Sequence, residues 1–386
     1  MRILTTGPSG VVAMQRVLDW MAARGEQVWV VDYRNHYRTP LPTGFQFQSF
    51  LPVPKAAGVE LTLKRVGLGA AAQRAKIARL QRLARAVQPD LVHIHSMDVR
   101  GTTCIDAGLA PLIVSAWGGL TSLLAASSQE LSPVARKLVT TCDLLLVDTP
   151  ALLEPVRPLL KPGARVEFLP FGADTRHFQP GRTVQAQEWR TLFAIPDDAF
   201  LLLSPRMWAE FYNHQDILRA YALAFPQFTR PTYLALVGLG TGPDALPHMA
   251  AAWQEVAQTP AATTVRWLPR IKYYQMPVLY GMADAVVNYP SRDAFAVTLV
   301  ETAASELPLI TPLLPAYRGT FVETSATLVE PRSLDALAAA LVQVVNEPAD
   351  VRRPRLQAAR HVVQTQYDDA IVQQALWQYY QEIVAA

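Results

Sequence analysis

The first thirty-two residues alternate between two patterns of apolar and polar side chains. Arg2–Thr6 and Gln27–Asp32 are short, nearly continuous apolar runs, which are typical of buried strands. Between them, Val11–Arg24 has apolar residues at helical spacing, with the turn Gly7–Gly10 before it and Gly25 after it. A strand, a helix and a second strand in this order predict a parallel sheet that is covered by helices on both faces.

The same alternation continues along the chain and restarts after a loop at residues 172–182. The further predicted strands are Leu91–His95, Leu112–Trp117, Asp143–Val147, Phe200–Ser204, Tyr233–Val237, Thr264–Leu268, Ala285–Asn288 and Leu309–Thr311. The further predicted helices are Gln73–Val87, His214–Ala224, Ala296–Ser305, Asp335–Asn346 and Asp369–Val384. We therefore predict two doubly wound α/β domains with a cleft between them. Functional residues should follow the carboxyl ends of the strands.

Length and composition agree with a two-domain globular chain. The 386 residues are 51% apolar and 17% charged, which excludes a disordered, collagen-like or coiled-coil protein. Residues 1–170 carry 19 Lys and Arg against 12 Asp and Glu, whereas residues 171–386 carry 16 against 20. This difference in charge favours two domains that face different partners.

Neither the cysteines nor the apolar stretches indicate secretion or a membrane span. Cys104 and Cys142 lack CxxC spacing, so we expect two buried thiols in a reducing compartment and no zinc site. The apolar start, residues 1–6, is too short for a signal peptide. The uncharged run at residues 107–129 contains a proline and two adjacent glycines, which favours a strand, a loop and a helix over a span. We expect a soluble, cytoplasmic protein.

The most informative segment is the one at residues 288–301. A buried strand ends in a loop that carries Asp293, and a helix begins at Ala296, so its first backbone N–H groups could bind phosphate oxygens. Glu301 lies about one and a half turns into that helix and could reach a sugar hydroxyl. The alternative is that Asp293 only caps the helix and that Glu301 is an exposed helical acid. This segment alone leaves both interpretations open.

A basic side chain follows the first predicted strand of the second domain. Arg206 comes two residues after Phe200–Ser204, so its guanidinium could point into the predicted cleft. Arginine suits phosphate recognition because its planar fork donates to two oxygens at once. The alternative, in a chain rich in arginine, is an ordinary surface residue.

Taken together, these segments resemble the retaining glycosyltransferases of family 4, which have the GT-B fold. The matching string runs from Pro290-Ser291 through Asp293 and, after seven intervening residues, Glu301, to Leu307–Ile310. Further landmarks occur in the expected order along nearly the whole chain. They are Gly7–Gly10, Pro89–His95, Ser115–Gly119, Phe171–Phe178 and Arg206.

The resemblance implies how the donor would be held. Glu301 would bind the ribose hydroxyls of a nucleotide-sugar donor, and Asp293 would bind hydroxyls of the transferred sugar. Arg206 would hold the diphosphate together with backbone amides at the start of the helix. Those amides belong to Ala296, Val297 and Thr298.

Further positions and the domain limits are implied in the same way. The loop Arg270–Ile271 would flank the base, and Gly10 would let the backbone of the first domain approach the donor. The acceptor side would include three residues of the first domain. They are His95, Trp117 and Gly118. The acceptor domain would span residues 1–170 and the donor domain residues 171–368, and a C-terminal helix, residues 369–386, would cross back to the first domain.

The activity implied is transfer of a sugar from a nucleoside-diphosphate sugar to a hydroxyl of a glycan, glycolipid or small molecule, with retention. Asp293, Glu301 and Arg206 would position the donor for catalysis. No cofactor and no metal ion would be needed besides the donor, and the chain has neither an HExxH nor an Asp-x-Asp motif.

Departures from the family pattern keep two alternatives open. The first acid is Asp293 instead of Glu, and Ala294 and Ala296 stand in place of glycines. An expected lysine is absent from residues 208–214, and Trp117 stands in place of a histidine that contacts sugar. The alternatives are a GT-B nucleotide-sugar epimerase and a degenerate, non-catalytic GT-B scaffold that binds a partner or a glycan.

A histidine pair and a glycine-rich loop do not predict a metal site or a dinucleotide site. His93 and His95 alternate with Ile94 on a strand, and we expect them to point to opposite faces and not to share a metal ion. His95, at the strand's end, would be the one that lines the cleft. The glycines of residues 238–242 lack GxGxxG spacing, so we interpret them as a loop and not as a dinucleotide site.

The helix at residues 73–87 is strongly basic. Its cations are Arg74, Lys76, Arg79, Arg82 and Arg85. The last three are spaced by three residues and form nearly one stripe, which is either an ordinary solvated face or a contact with an anionic membrane surface. The second interpretation would bring the enzyme to a lipid-linked acceptor at the inner membrane face. Nucleic acid is not an expected partner, because no aromatic residues interleave the basic ones.

Overall fold

The computed structural model describes residues 1–37, 40–51, 68–124, 130–238 and 247–386. Within this part, the chain divides into two compact units. The first comprises Met1–Pro170 together with Gln373–Ala386, and the second comprises Phe171–Val372. Each unit is built on one parallel sheet.

The sheet of the first unit has its helices at the crossovers between parallel strands. Its described strands are β1 (Arg2–Thr6), β2 (Gln27–Asp32), β3 (Phe45–Ser49), β4 (Leu91–Ile94), β5 (Leu112–Ser115), β6 (Leu144–Val147) and β7 (Arg165–Phe168). They are hydrogen-bonded in the order β3-β2-β1-β4-β5-β6-β7, and every pair is parallel. Its described helices are α1 (Val12–Ala23), α2 (Gly69–Val87), α3 (Val99–Asp106), α4 (Pro133–Thr141), α5 (Leu153–Val156) and, from Gln373 onwards, α14 (Asp369–Ala385).

The second unit repeats this construction with a sheet of its own. Its described strands are β8 (Phe200–Ser204), β9 (Thr232–Val237), β10 (Val265–Leu268), β11 (Ala285–Val287), β12 (Leu309–Pro312) and β13 (Thr327–Val329). They are hydrogen-bonded in the order β10-β9-β8-β11-β12-β13, again all parallel. Its described helices are α6 (Val184–Leu192), α7 (His214–Ala224), α8 (Pro247–Val256), α9 (Met276–Met282), α10 (Val297–Ala304), α11 (Val322–Ser325), α12 (Leu334–Asn346) and α13 (Ala349–Val362).

Both sheets have a topological switch point, where consecutive strands begin to be added on the other side of the first strand. In the first unit it lies between β1 and β4, and in the second it lies between β8 and β11. The loops that follow these two strands diverge to opposite faces of the sheet. Ligands of open parallel sheets bind at this point, outside the carboxyl ends of the strands.

The continuous apolar runs are explained by burial on both faces of the sheet. All five residues of β8 are buried. Leu202 packs in the cluster that contains Ile217 of α7 and Leu341 of α12, whereas Leu203 packs with Leu279 of α9. Alternate residues of one strand therefore belong to opposite helical layers, which fixes the direction of the loop that follows.

The strands and helices predicted from the sequence are present, with ends that shift by up to four residues. Sequence patterning missed β3, β7 and α13, among others. In β3, the sequence Phe-Gln-Phe-Gln-Ser is apolar at every second residue only. In α13, the mean hydropathy is low and Pro354 lies inside the helix, which hides the helical period.

The basic helix α2 differs from the prediction in which cations it exposes. Lys76 is buried, and Arg79 donates from Nε to the Ser49 carbonyl at 2.8 Å and from Nη2 to Gln48 Oε1 at 3.0 Å. The stripe that we predicted through Arg79 is therefore wrong, because this guanidinium is engaged on the unit itself. The exposed cations of the helix are Arg74, Arg82 and Arg85. Contact with an anionic surface stays a prediction.

Three other expectations concern the thiols, membrane spans and the glycine-rich loop. Cys104 and Cys142 are free and buried as predicted, and burial raises the pKa of each thiol to about 12. No helix in the described ranges is long and apolar enough to cross a membrane. Most of the loop at residues 238–242 lies outside the described residues.

Candidate active site

The switch point of the second unit brings together the two residues that the sequence singled out. Strand β8 pairs directly with β11, with Leu202 opposite Ala285 and Leu203 opposite Val286. Arg206 follows β8 and Asp293 follows β11, and their side chains form an ion pair in which Nη2 lies 3.4 Å from Oδ1. The alternative of an ordinary surface arginine is wrong, since the Arg206 side chain is only 13% exposed.

The two loops that carry these residues are hydrogen-bonded to each other. The amide of Ser291 donates to the Phe211 carbonyl at 2.8 Å, and Asn213 Nδ2 donates to the Tyr289 carbonyl at 3.1 Å. The Arg206 carbonyl lies 3.0 Å from His214 Nε2, at the first residue of α7. The position of the guanidinium is therefore set by backbone contacts on both sides of the switch point.

Besides its ion pair with Asp293, the Arg206 side chain contacts Thr298 and Tyr212. Its Nη1 donates to Thr298 Oγ1 at 3.4 Å, its Nη2 donates to the Tyr212 hydroxyl, and its Cζ lies 4.0 Å from the centre of the Tyr212 ring. Burial acts to lower the pKa of Arg206, but the negative charge of Asp293 opposes it and the net shift is upward. The group is a permanent cation at the start of α10.

Both carboxylate oxygens of Asp293 accept hydrogen bonds. Its Oδ1 accepts from the Ala294 amide at 3.0 Å, and its Oδ2 accepts from the Tyr317 hydroxyl at 3.1 Å. Asn288 Nδ2 in turn donates to Tyr317 Oη at 3.3 Å. Burial raises the pKa of Asp293, although Arg206 and these hydrogen bonds act in the opposite direction. Asp293 does not cap α10, so that alternative is wrong.

The start of α10 is a candidate anion site. Its N-cap is Ala296, which has extended backbone angles and offers no side-chain cap. The first helical residues, Val297 and Thr298, therefore present amides that no side chain caps, and the helix dipole adds partial positive charge there. Arg206 reaches this point through Thr298 Oγ1. A guanidinium and a helix N-terminus thus face the same position.

Glu301 is buried and not an exposed helical acid, with only 1% of its surface accessible. It neighbours Tyr280 of α9, which is itself 1% exposed. Burial raises the pKa of Tyr280 well above its ordinary value, and the negative charge of Glu301 raises it further. The core of the unit holds this carboxylate in place, just over one helical turn after the start of α10.

Several residues of this cluster were missed by the sequence analysis. They are Tyr212, Tyr280, Asn288 and Tyr317. Their common signal is position, because Tyr212 follows β8, Asn288 follows β11 and Tyr317 follows β12. A systematic look at polar groups after each strand would have found three of the four. Tyr280 lies inside a helix and offers no such signal.

Arg270 and Ile271 do not join the cluster around Arg206. They follow β10, which β9 separates from β8. Arg270 is exposed, and Ile271 packs against the apolar layer under α6 and α9. Their suggested contact with a base stays a prediction.

The histidine pair of the first unit corrects one of our expectations. His93 and His95 do not point to opposite faces, since their ring centres lie only 3.7 Å apart. Side chains two residues apart on a strand share a face, because the period of a strand is two. Both residues are buried. His93 Nδ1 lies 2.6 Å from Tyr380 Oη on α14, and its Nε2 lies 2.9 Å from Ser115 Oγ.

His95 has no hydrogen-bond partner among the described residues at either ring nitrogen. Its ring lies 4.9 Å from that of Trp117, and burial lowers its pKa to about 3. A Cβ added at Gly7 would lie 2.9 Å from the Cβ of His95, so the turn after β1 packs directly on it. The imidazole is neutral, and an unsatisfied polar group of this kind is uncommon in a protein core.

The other predicted first-unit residues surround the same switch point. Trp117 has φ +32° and Gly118 has φ +78°, and the Gly118 amide donates to Asp148 Oδ2 at 2.9 Å. Gly10 is exposed, and a Cβ added there would lie 3.1 Å from the Cβ of His36. The backbone of the turn at Trp117 and Gly118 is thus held by the Asp148 carboxylate at the edge of the sheet.

Metal-ligand geometry is not found in the part of the chain that the structure describes. There, no group of three or more His, Cys, Asp or Glu side chains is arranged to hold a metal ion.

Residues 185–361 match the family described as Glycosyl transferases group 1. The chain is 27% identical over 336 residues to glycogen synthase of Mycobacterium tuberculosis, an alignment that covers 84% of this chain and 76% of the relative. The whole matched stretch lies in the second unit, which contains Arg206, Asp293 and Glu301.

Solved structures with the same architecture cover nearly all of both chains. Sucrose-phosphate synthase from Thermosynechococcus elongatus has a TM-score of 0.73 at 17% identity, covering 100% of this chain and 99% of that one. HepE of Anabaena, in complex with UDP and glucose, has a TM-score of 0.74 at 15% identity, covering 99% and 100%. The chain therefore has the GT-B fold predicted from its sequence, and residues 185–361 of its second unit match the model of the group 1 glycosyl transferases.

Proposed function

We propose that this chain is a retaining glycosyltransferase that moves a sugar from a nucleoside-diphosphate sugar to an acceptor hydroxyl. The observation that carries the proposal is the meeting of Arg206 with the uncapped start of α10 at the switch point of the second unit. Two positive features at one position suit a diphosphate. The complexes of HepE with UDP and with UDP-glucose support a donor of this class.

Each donor group has a candidate partner in the second unit. The diphosphate binds Arg206 and the amides of Val297 and Thr298. The transferred sugar places hydroxyls against Asp293, and the ribose places its hydroxyls against Glu301, which is the acid held in the core. The base lies near Arg270 and Ile271. The acceptor is assigned to the first unit, to His95, Trp117 and Gly118, and Gly10 keeps its expected role toward the donor.

The reaction is a substitution at the anomeric carbon. The bond from that carbon to the diphosphate oxygen breaks, and its electron pair stays on the phosphate. Arg206 and the helix start stabilise the charge that develops, because they are held in position before the reaction. The acceptor oxygen attacks the same face and gives its proton to the leaving phosphate. On this proposal no metal ion is needed, and Asp293 and Glu301 orient the donor without exchanging protons.

Calorimetric titration of the Glu301→Gln variant tests the donor assignment. Wild-type protein is first titrated with a panel of nucleoside diphosphates and their sugars, and the tightest ligand is kept. The variant is expected to bind it about 10- to 100-fold more weakly, because a hydrogen bond to a charged group is lost while the shape is kept. Glu306→Gln is the matched control, since Glu306 lies past the end of α10 and faces Arg360 at 3.7 Å.

Two outcomes contradict the proposal. Wild-type protein that binds none of the panel has no donor site of this kind, as the degenerate scaffold would require. A wild-type protein that binds a donor and isomerises its sugar in the absence of acceptor is an epimerase instead.

A further inference from the structure

The phenol of Tyr212 occupies one side of the Arg206 guanidinium. Nη2 of Arg206 donates to Tyr212 Oη and also faces Asp293 Oδ1 at 3.4 Å. The guanidinium carbon lies 4.0 Å from the centre of the Tyr212 ring, so the aromatic face supports the cation as well. Tyr212 is therefore fixed by two contacts with the group that we assign to the diphosphate.

The proton of the Tyr212 hydroxyl has no acceptor within the described ranges of the chain. Arginine can only donate, so the phenolic oxygen uses a lone pair in this contact and keeps its own O–H for another partner. The side chain is half-buried, which leaves that proton room to meet a ligand. Burial raises the pKa of Tyr212, so the hydroxyl is protonated at neutral pH.

The charges in the loop around Tyr212 favour a further, neutral hydrogen-bond donor to a phosphate. The loop between β8 and α7, residues 205–213, contains one cation, Arg206, and one acid, Glu210. The cation is already balanced by Asp293. A diphosphate with two or more negative charges therefore has more acceptor oxygens than one guanidinium can satisfy. The Tyr212 hydroxyl, which is neutral and already bound to that guanidinium, is an additional donor at this position.

We propose that Tyr212 is a phosphate-binding residue, which donates its phenolic hydrogen bond to the diphosphate of the donor while it accepts one from Arg206. This inference rests on the proposed function and assigns one more residue to the same site. The phosphate is then recognised by one charged and one neutral side-chain donor, together with the helix amides. Substrates without a phosphate at this position gain nothing from the hydroxyl.

The test is the Tyr212→Phe variant, which keeps the ring on Arg206 and removes only the hydroxyl. Its affinity for the nucleoside diphosphate preferred by the wild type is measured by calorimetry, and its affinity for the matching nucleoside by competition. We expect a loss of about tenfold for the diphosphate and no change for the nucleoside. Tyr233→Phe is the control, because Arg266 lies 4.7 Å over that ring in the same unit but away from the switch point.

The possible results separate this inference from the one on which it rests. Equal losses for diphosphate and nucleoside would make Tyr212 a structural residue. Unchanged diphosphate binding would also overturn the inference. Tighter diphosphate binding would overturn it too, because the phenol would then occupy space that the ligand must take. If the wild type binds no nucleoside diphosphate, the proposed function fails and this inference with it.

Discussion

The two switch points of this molecule lie at equivalent positions of similar sheets, but their chemistry differs. In the second unit, Arg206 and Asp293 form an ion pair beside an uncapped helix start. In the first unit, the corresponding place holds two neutral, buried histidines and Trp117. In the second unit the cation thus lies beside a helix start, whereas in the first unit the ion pair of Arg100 with Asp32 lies against the turn after β1 and the two histidines stay neutral.

Under the proposed function, this difference assigns the nucleotide-sugar donor to the second unit and the acceptor to the first. A diphosphate requires positive groups that are fixed in advance. An acceptor hydroxyl is neutral, and a neutral imidazole or a backbone amide can orient it without a permanent charge. We expect nucleotide affinity to depend on the second unit and acceptor use to depend on the first. Three predictions test this division.

The largest effect is expected at Arg206. Arg206→Ala should weaken binding of the nucleoside diphosphate about 100-fold, in line with the loss of one fixed donor at a developing anion. Arg206→Lys should weaken it about tenfold, because the charge stays but the planar fork is lost. Calorimetry at several salt concentrations measures both, and the salt dependence should be weakest for the alanine variant.

Arg206→Ala also leaves Asp293 buried without its cation, so its melting temperature must be measured alongside. The lysine variant answers this concern, because it keeps a partner for Asp293. If both variants bind the nucleotide as the wild type does, the second unit does not hold the phosphates.

The next effect concerns stability at low pH. His95 has a pKa of about 3 in the folded protein, against an ordinary value of 6.5, so the unfolded chain binds a proton that the folded chain does not. Stability is therefore lost as the pH falls from about 6.5 towards 3. His95→Phe should remove this loss. Between pH 6 and pH 4, its free energy of unfolding should fall by about 2 kcal/mol less than that of the wild type.

Urea denaturation of both proteins at the two pH values measures this difference. His361→Phe, which alters an exposed histidine of α13, should follow the wild type. An identical pH dependence for His95→Phe and the wild type would mean that folding does not lower the pKa of His95.

The smallest effect separates the units most directly. His95→Phe should leave the affinity for the nucleoside diphosphate unchanged, but lower kcat/KM for the acceptor about tenfold, as expected for one lost hydrogen bond. Calorimetry and initial rates at varied acceptor concentration measure the two quantities. A change in nucleotide affinity with no change in acceptor use would contradict the division of roles.

The sequence predicted the fold better than the site because the two depend on different signals. Buried parallel strands are continuous apolar runs, so β8 and β11 were visible without any knowledge of contacts. The position of Arg206 and Asp293 after those strands followed from topology. The failures were local: Arg79 was placed in an exposed basic stripe, and His93 and His95 were assigned to opposite faces.

The hydrogen-bond partners could not have been predicted from pattern. Tyr317 reaches Asp293 from a different strand end, 24 residues away. Tyr280 reaches Glu301 only because α9 and α10 cover neighbouring parts of the sheet. Such contacts depend on packing at the ångström scale, whereas the apolar pattern specifies only which face of an element is buried.

The bond between Tyr380 and His93 has a consequence for how the polypeptide is made. Leu376 and Tyr380 fill the interior of a unit whose other residues are Met1–Pro170. During synthesis, that interior stays incomplete until the last turns of α14 emerge from the ribosome, whereas Phe171–Val372 is contiguous and can finish folding earlier. A ribosome that stops short of Tyr380 therefore leaves the amino-terminal half unfinished and the middle of the protein intact.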